Sequence, residues 1–128
     1  MTDQENLERG IAMLEKMAGK QEADRVRNAW RNLCPDFEKF VLGFLAAQVW
    51  TRGHLDLKTR SLCTVAALTA LGRGSGLELN IRMARGNGAT KEEILEVMLQ
   101  MAPYAGFPAA WEGMKAVAAV FDAETIPR

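Results

Sequence analysis

Residues 57–72 read LKTRSLCTVAALTALG. Asp56 stands ahead of this run as an N-cap, and Gly72 stands behind it as a stop, which frames a helix from about Leu57 to Leu71. Leu62, Cys63, Val65, Ala66, Leu68 and Thr69 cover almost its whole circumference, so the helix is expected to be central and buried. Cys63, on this view, fills the core.

The same period recurs outward in both directions. After Gly72-Arg73-Gly74, Ser75 is placed to cap a helix carrying Leu77, Leu79, Ile81, Met83 and Ala84, which Gly86-Asn87-Gly88 ends with residues that tolerate positive φ. Thr90 and Glu93 have capping-box spacing ahead of Ile94, Val97, Met98 and Met101. Pro103 should end or kink that helix, Tyr104–Pro108 should turn, and a last helix should run from about Ala109 to Phe121. On the N-terminal side, Leu7, Ile11, Leu14 and Met17 mark a helix between Thr2 or Asp3 and Gly19. The stretch QEADRVRNAW has few apolar anchors and reads as a short or poorly packed helix. Pro35 then opens a helix with Asp36 and Glu38 at its positive end and a wide aromatic face through Phe37, Phe40 and Phe44. No segment alternates like a strand. The chain reads as all-α, with about six or seven helices in one domain spanning 1–128 and a loose tail from Asp122.

Composition sets limits on function. Sixteen basic and sixteen acidic residues leave no net charge, so the overall cationic field that holds nucleic acid is missing. Apolar runs fall short of the ~20 residues of a membrane span, and MTDQENLERG lacks the basic flank and apolar centre of a signal peptide. A cytoplasmic protein, with no nucleic-acid or membrane partner, is the expectation. Zero net charge and a rich aromatic and methionine set (Phe37, Phe40, Phe44, Trp50, Met98, Met101, Trp111, Met114) point towards self-association.

Reactive groups are few. His54 is the one histidine, and reads either as an exposed loop side chain or as a proton carrier at a helix N-terminus. Cys34 and Cys63 form neither a metal cluster nor a Cys-x-x-Cys pair, although Cys34 precedes a helix start whose dipole lowers thiol pKa values. The glycines at 72, 74 and 76 follow no strand and read as a helix terminator. Arg52 and Arg60 flank the entry to the central helix, and Arg82 and Arg85 lie on the next one. Guanidinium groups suit bidentate capture of carboxylates. Arg60 is the most constrained, because its head group must reach an edge or an acidic partner from an apolar helix. Arg85 is taken as solvated.

From Val49 to Val120 the chain resembles the 4-carboxymuconolactone decarboxylase family. The resemblance rests on Trp50-Thr51-Arg52-Gly53, Leu57-Lys58-Thr59-Arg60-Ser61-Leu62, Ala66-Ala67-Leu68 and Leu71-Gly72-Arg73. It continues through Asn87–Val97, Gln100 and Tyr104–Ala110. It implies an alkylhydroperoxidase D-like helical fold, a homo-oligomer (trimer or hexamer), and cofactor-free decarboxylation of a small carboxylated lactone in aromatic-compound degradation. The reading extends to a decarboxylase or related isomerase acting on such a lactone or on an enolisable carboxylic acid, and the alternative is a non-catalytic homo-oligomeric or ligand-binding member of the same fold. His54, Arg60 and Asn80 are the expected catalytic residues. Trp50, Arg52, Arg82 and Tyr104 are expected to bind the carboxylate substrate, with Tyr104 a second candidate proton donor, and no metal or cofactor is called for. The site is expected where the 50–54 loop, Arg60 and the Asn80 helix meet.

Three departures stand out. Leu77-Glu78-Leu79-Asn80 carries asparagine where the family resemblance places histidine, and an amide does not transfer protons near neutral pH. The related peroxidases' Cys-x-x-Cys-x-x-x-His positions hold Arg73, Gly76 and Asn80, which argues against thiol peroxidase chemistry. Gly53-His54 replaces Pro-Gly and sets the lone imidazole near Arg52.

Overall fold

The structure, a computed structural model, describes residues 1–122. Among these it shows seven α-helices, one π-helical segment, a single 3-10 turn and no strand, so the chain is all-α. They divide into two compact units, Met1–Asp56 and Leu57–Arg128.

In the first unit, the Thr2 hydroxyl accepts the Glu5 N–H at 3.0 Å and starts α1 (Asp3–Ala18). Gly19, at φ +85°, ends it. Helix α2 (Lys20–Leu33) buries only Ala23 and Val26, yet it runs four turns, longer than the sequence suggests. Ion pairs Lys20–Asp24 and Arg25–Glu22 line its exposed side. A stronger link closes its far end: Glu38 of α3 (Pro35–Phe40) is buried and accepts from Arg27 Nε at 3.0 Å and from Arg31 Nε and Nη2 at 3.0 and 2.9 Å. Trp30 packs edge-on against Phe37, with ring centroids 6.0 Å apart.

Helix α3 does not continue as an α-helix. From Val41 to Val49 the backbone is π-helical, and Gln48 Nε2 donates to the Gly43 carbonyl at 2.9 Å across the same five-residue span. Leu42, Ala46 and Ala47 are buried at steps of four and five. The expected aromatic face is thereby turned outward: Phe40 and Phe44 are 70% and 61% exposed in the lone chain. Helix α1 packs on this segment through Gly10, whose missing Cβ would overlap the Leu42 carbonyl.

The second unit is organised around α4 (Leu57–Leu71), which packs against α5 (Leu77–Gly86), α6 (Lys91–Ala105) and α7 (Phe107–Phe121). These neighbours cover one stripe, Ser61, Val65 and Thr69, and leave much of the rest open. The helix is central but not fully buried, and Cys63 is exposed rather than core filler. Gly72 (φ +71°) stops it, with the Arg73 N–H bonded to Leu68 O at 2.8 Å. Ser75 lies inside a 3-10 turn (Gly74–Gly76) and gives α5 no cap; Gly76 is the N-cap instead.

At the other end of α5, Asn87 Nδ2 donates to the buried Ser61 Oγ at 2.8 Å, tying the helix to α4. The capping box forms as expected, with Glu93 N–H to Thr90 Oγ1 at 3.1 Å and Thr90 N–H to Glu93 Oε1 at 2.9 Å. Pro103 neither ends nor displaces α6, because it sits on the exposed side and removes only one backbone donor. The expected five-residue turn shrinks to Gly106 (φ +101°), and α7 begins at Phe107.

Ile81, Ile94, Met98 and Val117 are fully buried with Val65, each large side chain worth about 1.5–3 kcal/mol of transfer free energy. Gly113 lets α7 settle on Met98 and Thr69. Arg85 is not merely solvated: its Nη1 donates to the Val120 carbonyl at 3.1 Å, and its guanidinium lies 5.2 Å from the centre of the Phe121 ring. Asp122, expected at the start of a loose tail, closes α7 and pairs with Lys91; the rest of that tail lies outside the described residues. No helix among the described residues is long and apolar enough to cross a membrane.

Candidate functional site

The residues singled out in the sequence fall in both units. In the first, the π-helical segment ends at Trp50, half-buried, whose N–H donates to Leu45 O at 2.9 Å. The Arg52 N–H donates to Val49 O at 3.1 Å, and Thr51 Oγ1 donates to Ala47 O at 2.7 Å, so the Trp50–Arg52 turn is fixed by its own backbone. Beyond it His54 is exposed. Arg52 lines an open cavity of about 480 Å³, whose wall also includes Asn6, Arg9, Ala47, Gln48 and Thr51.

In the second unit, Arg60 is half-buried in the first turn of α4, and its carbonyl accepts from Thr64 Oγ1 at 3.1 Å. Asn80 is half-buried on α5, with Nδ2 donating to the Gly76 carbonyl one turn back at 2.8 Å. That bond spends one amide donor on the helix's own first turn and leaves Oδ1 as an acceptor. Arg82 is half-buried two residues on, and Tyr104 is 79% exposed in the last turn of α6. A cavity of about 500 Å³ runs along α4 and α6, lined by apolar groups such as Leu62, Val97 and Met101 together with Glu93 and Glu96. Its carboxylates disfavour an anionic ligand. Glu93 is held below the usual carboxylate range by hydrogen bonding from Lys58 and the Thr90 backbone and stays ionised.

Arg52 therefore lines a cavity together with Arg9, whereas Arg60, Asn80, Arg82 and Tyr104 line neither that cavity nor the one along α4 and α6. Arg9, which the sequence reading did not single out, is the other arginine on that wall. Helix α1 was valued for its apolar stripe, and the signal available was the polar pair Asn6 and Arg9 three residues apart on one face. Among the described residues, no three His, Cys, Asp or Glu side chains are grouped so as to hold a metal ion.

Comparison with known proteins agrees with the motifs. Residues 35–119 match the profile of the Carboxymuconolactone decarboxylase family. The 4-carboxymuconolactone decarboxylase of Acinetobacter baylyi is 34% identical over 121 residues, covering 94% of this chain and 90% of that protein. An uncharacterised 15.0 kDa protein of Paracoccus denitrificans is 33% identical over 98 residues, 75% of this chain and 73% of its own length. A nitrosuccinic acid decarboxylase of Metarhizium robertsii is 34% identical over 110 residues, 82% of this chain and 73% of that enzyme. With its motifs in order and its match running through both units, the chain belongs to the carboxymuconolactone decarboxylase family.

Proposed function

We propose that the protein is a cofactor-free decarboxylase of a small carboxylated lactone or a related enolisable carboxylic acid, working as one domain over its 128 residues. The observation that carries this reading is the 34% identity to a 4-carboxymuconolactone decarboxylase across 94% of the chain. A second relative named as a decarboxylase, of nitrosuccinic acid, supports the reaction type over any one substrate.

The chemistry asks for little. Breaking the bond to the departing carboxylate leaves an electron pair that delocalises into the conjugated lactone carbonyl, and a proton then returns to carbon. Cationic or hydrogen-bonding groups must meet the oxyanion, a second carboxylate must be held, and an acid must supply the proton. Arg52 and Arg60, with Arg82, take the cationic roles. His54 is the proton donor, with Tyr104 the alternative phenolic acid. Trp50 supplies an apolar wall, and Asn80 offers an acceptor or donor without moving a proton. The exposed Phe37, Phe40 and Phe44 in the first unit, and Leu71, Phe107 and Trp111 in the second, support assembly into a homo-oligomer, trimer or hexamer. Sedimentation at micromolar concentration is expected to show the assembly; a stable monomer would contradict it.

The Gly76 bond of Asn80 favours one competing reading, a member of the family that binds its ligand without turning it over. A panel of carboxylated unsaturated lactones, followed by carbon dioxide release and loss of lactone ultraviolet absorbance, separates the two. Turnover of at least one lactone is expected. Saturable binding across the panel with no carbon dioxide would establish the competing reading instead.

A further inference from the structure

The second unit carries an apolar groove that the proposed decarboxylation leaves unused. About 500 Å³ in volume, it runs between α4 and α6, with Leu62, Ala66, Val97 and Met101 on its walls. Glu93 and Glu96 also line it, and no basic residue does. Glu93 is committed to Lys58, whereas Glu96 is exposed and has no ion pair among the described residues. The groove is therefore apolar, with a carboxylate at its edge that is open to a cation.

The first unit carries the complementary pattern. Phe40 and Phe44, four residues apart, both line the groove of about 330 Å³ beside α1, and both are mostly exposed. Lys39 shares that groove, is exposed, and has no ion pair among the described residues. Asp3 lies there too, in the first turn of α1, where the helix N-terminus offsets its charge. Two aromatic rings beside an ammonium thus match an apolar groove beside a carboxylate. The acidic groove does not match a copy of itself, because groove against groove would cover carboxylates with no cation to meet them.

We propose that Phe40, Phe44 and Lys39 of one copy dock into the α4–α6 groove of a second copy, with Lys39 facing Glu96. Each copy then has one face to give and one to receive, so unlike surfaces hold the assembly together. This docking rests on the self-association proposed above and is independent of the reaction catalysed. Neither the motifs nor the names of the relatives assign these two surfaces to each other.

The test combines sedimentation with thiol cross-linking of the full chain. Phe44→Glu and Ala66→Glu are each expected to weaken self-association about tenfold or more, as at the centre of an interface. Arg25→Gln, which touches only an exposed pair on α2, should leave it unchanged. Unaltered helical circular dichroism across the set ties the losses to docking rather than to folding. Cys63 lies in the groove and is exposed, which supplies a handle for cross-linking. One chain carries Cys34→Ser, Cys63→Ser and Phe44→Cys, and the other carries Cys34→Ser alone. Co-expressed and treated with a short bis-maleimide, the two chains should become linked to each other. Moving the new thiol from Phe44→Cys to Arg25→Cys should abolish the link. A stable monomer of the unmodified protein would overturn both this docking and the assembly. Oligomers that persist undiminished in Phe44→Glu and Ala66→Glu would overturn the docking alone. So would the absence of a link between the co-expressed chains, the result expected if the groove is filled from within its own chain.

Discussion

Replacing Gly10 by alanine is expected to destabilise the protein by about 3 kcal/mol or more, at the upper end of overpacking costs. The added Cβ would overlap the Leu42 carbonyl and come within 2.9 Å of Leu42 Cα. Both are backbone atoms of the π-helical segment, so no side-chain rotation relieves the clash. Either α1 moves away, uncovering Leu14 and Met17, or the π-helical segment changes its winding. For a chain of this size the loss corresponds to a fall in melting temperature of roughly 10 °C or more. Gly43 is the internal control. A Cβ there meets nothing within 4 Å, and alanine is a better helix former than glycine, so Gly43→Ala should be neutral or slightly stabilising. A Gly10→Ala variant that melts with the unmodified protein would show that α1 and this segment are not in close backbone contact.

The second large effect concerns Glu38. Its carboxyl is held below the usual range, first by the hydrogen bond from Arg31 and, against the opposing cost of burial, also by Arg27. A carboxylate depressed in the folded state contributes stability that is complete above its unfolded pKa and is lost as pH falls through the folded value. The contribution should therefore be whole at pH 6 and shrink below about pH 4.5, the ordinary value for this group. Breaking a buried pair costs about 3–5 kcal/mol, whereas exposed pairs are worth about 0–1. Arg31 is nearly half exposed and Arg27 mostly covered, so Glu38→Ala should cost about 2 kcal/mol at pH 6. Glu38→Gln should remove the corresponding part of the acid sensitivity. Melting curves at pH 6 and pH 3 decide it: a Gln variant that keeps the full difference between the two pH values would place the acid-labile contact elsewhere.

Gly10 and Glu38 also mark the boundary of what one chain of letters reveals. Helix ends at Gly19, Gly72 and Thr90 were legible because a cap or a left-handed glycine is a local event, settled within four residues. Pro103 misled because its cost depends on which side of the helix it occupies, and that is set by the packing of α6 on α7. Cys63 was expected inside on apolar character alone; how many neighbours cover it is a tertiary fact. Glu38 read as a helix-dipole residue, since nothing in its spacing announces Arg27 and Arg31 from another helix. The same limit applies to the site. Arg52 was singled out through a motif and Arg60 through its place on an apolar helix, whereas the cavity that Arg52 shares with Arg9 became visible only when α1 was placed beside the Trp50–Arg52 turn.

The most direct measurement is carbon dioxide release from a carboxylated unsaturated lactone by the unmodified protein, Arg60→Ala and Arg25→Gln, assayed in parallel with lactone consumption. The unmodified protein should release one carbon dioxide for each lactone consumed. Arg60→Ala should lose about ten- to a hundredfold in kcat/KM, the worth of one charge-assisted hydrogen bond to the reacting anion. Arg25→Gln, which breaks only the exposed pair with Glu22, should stay within about twofold, as expected of a surface ion pair. No carbon dioxide from the unmodified protein, or equal turnover by all three, would contradict a decarboxylase that works through its arginines.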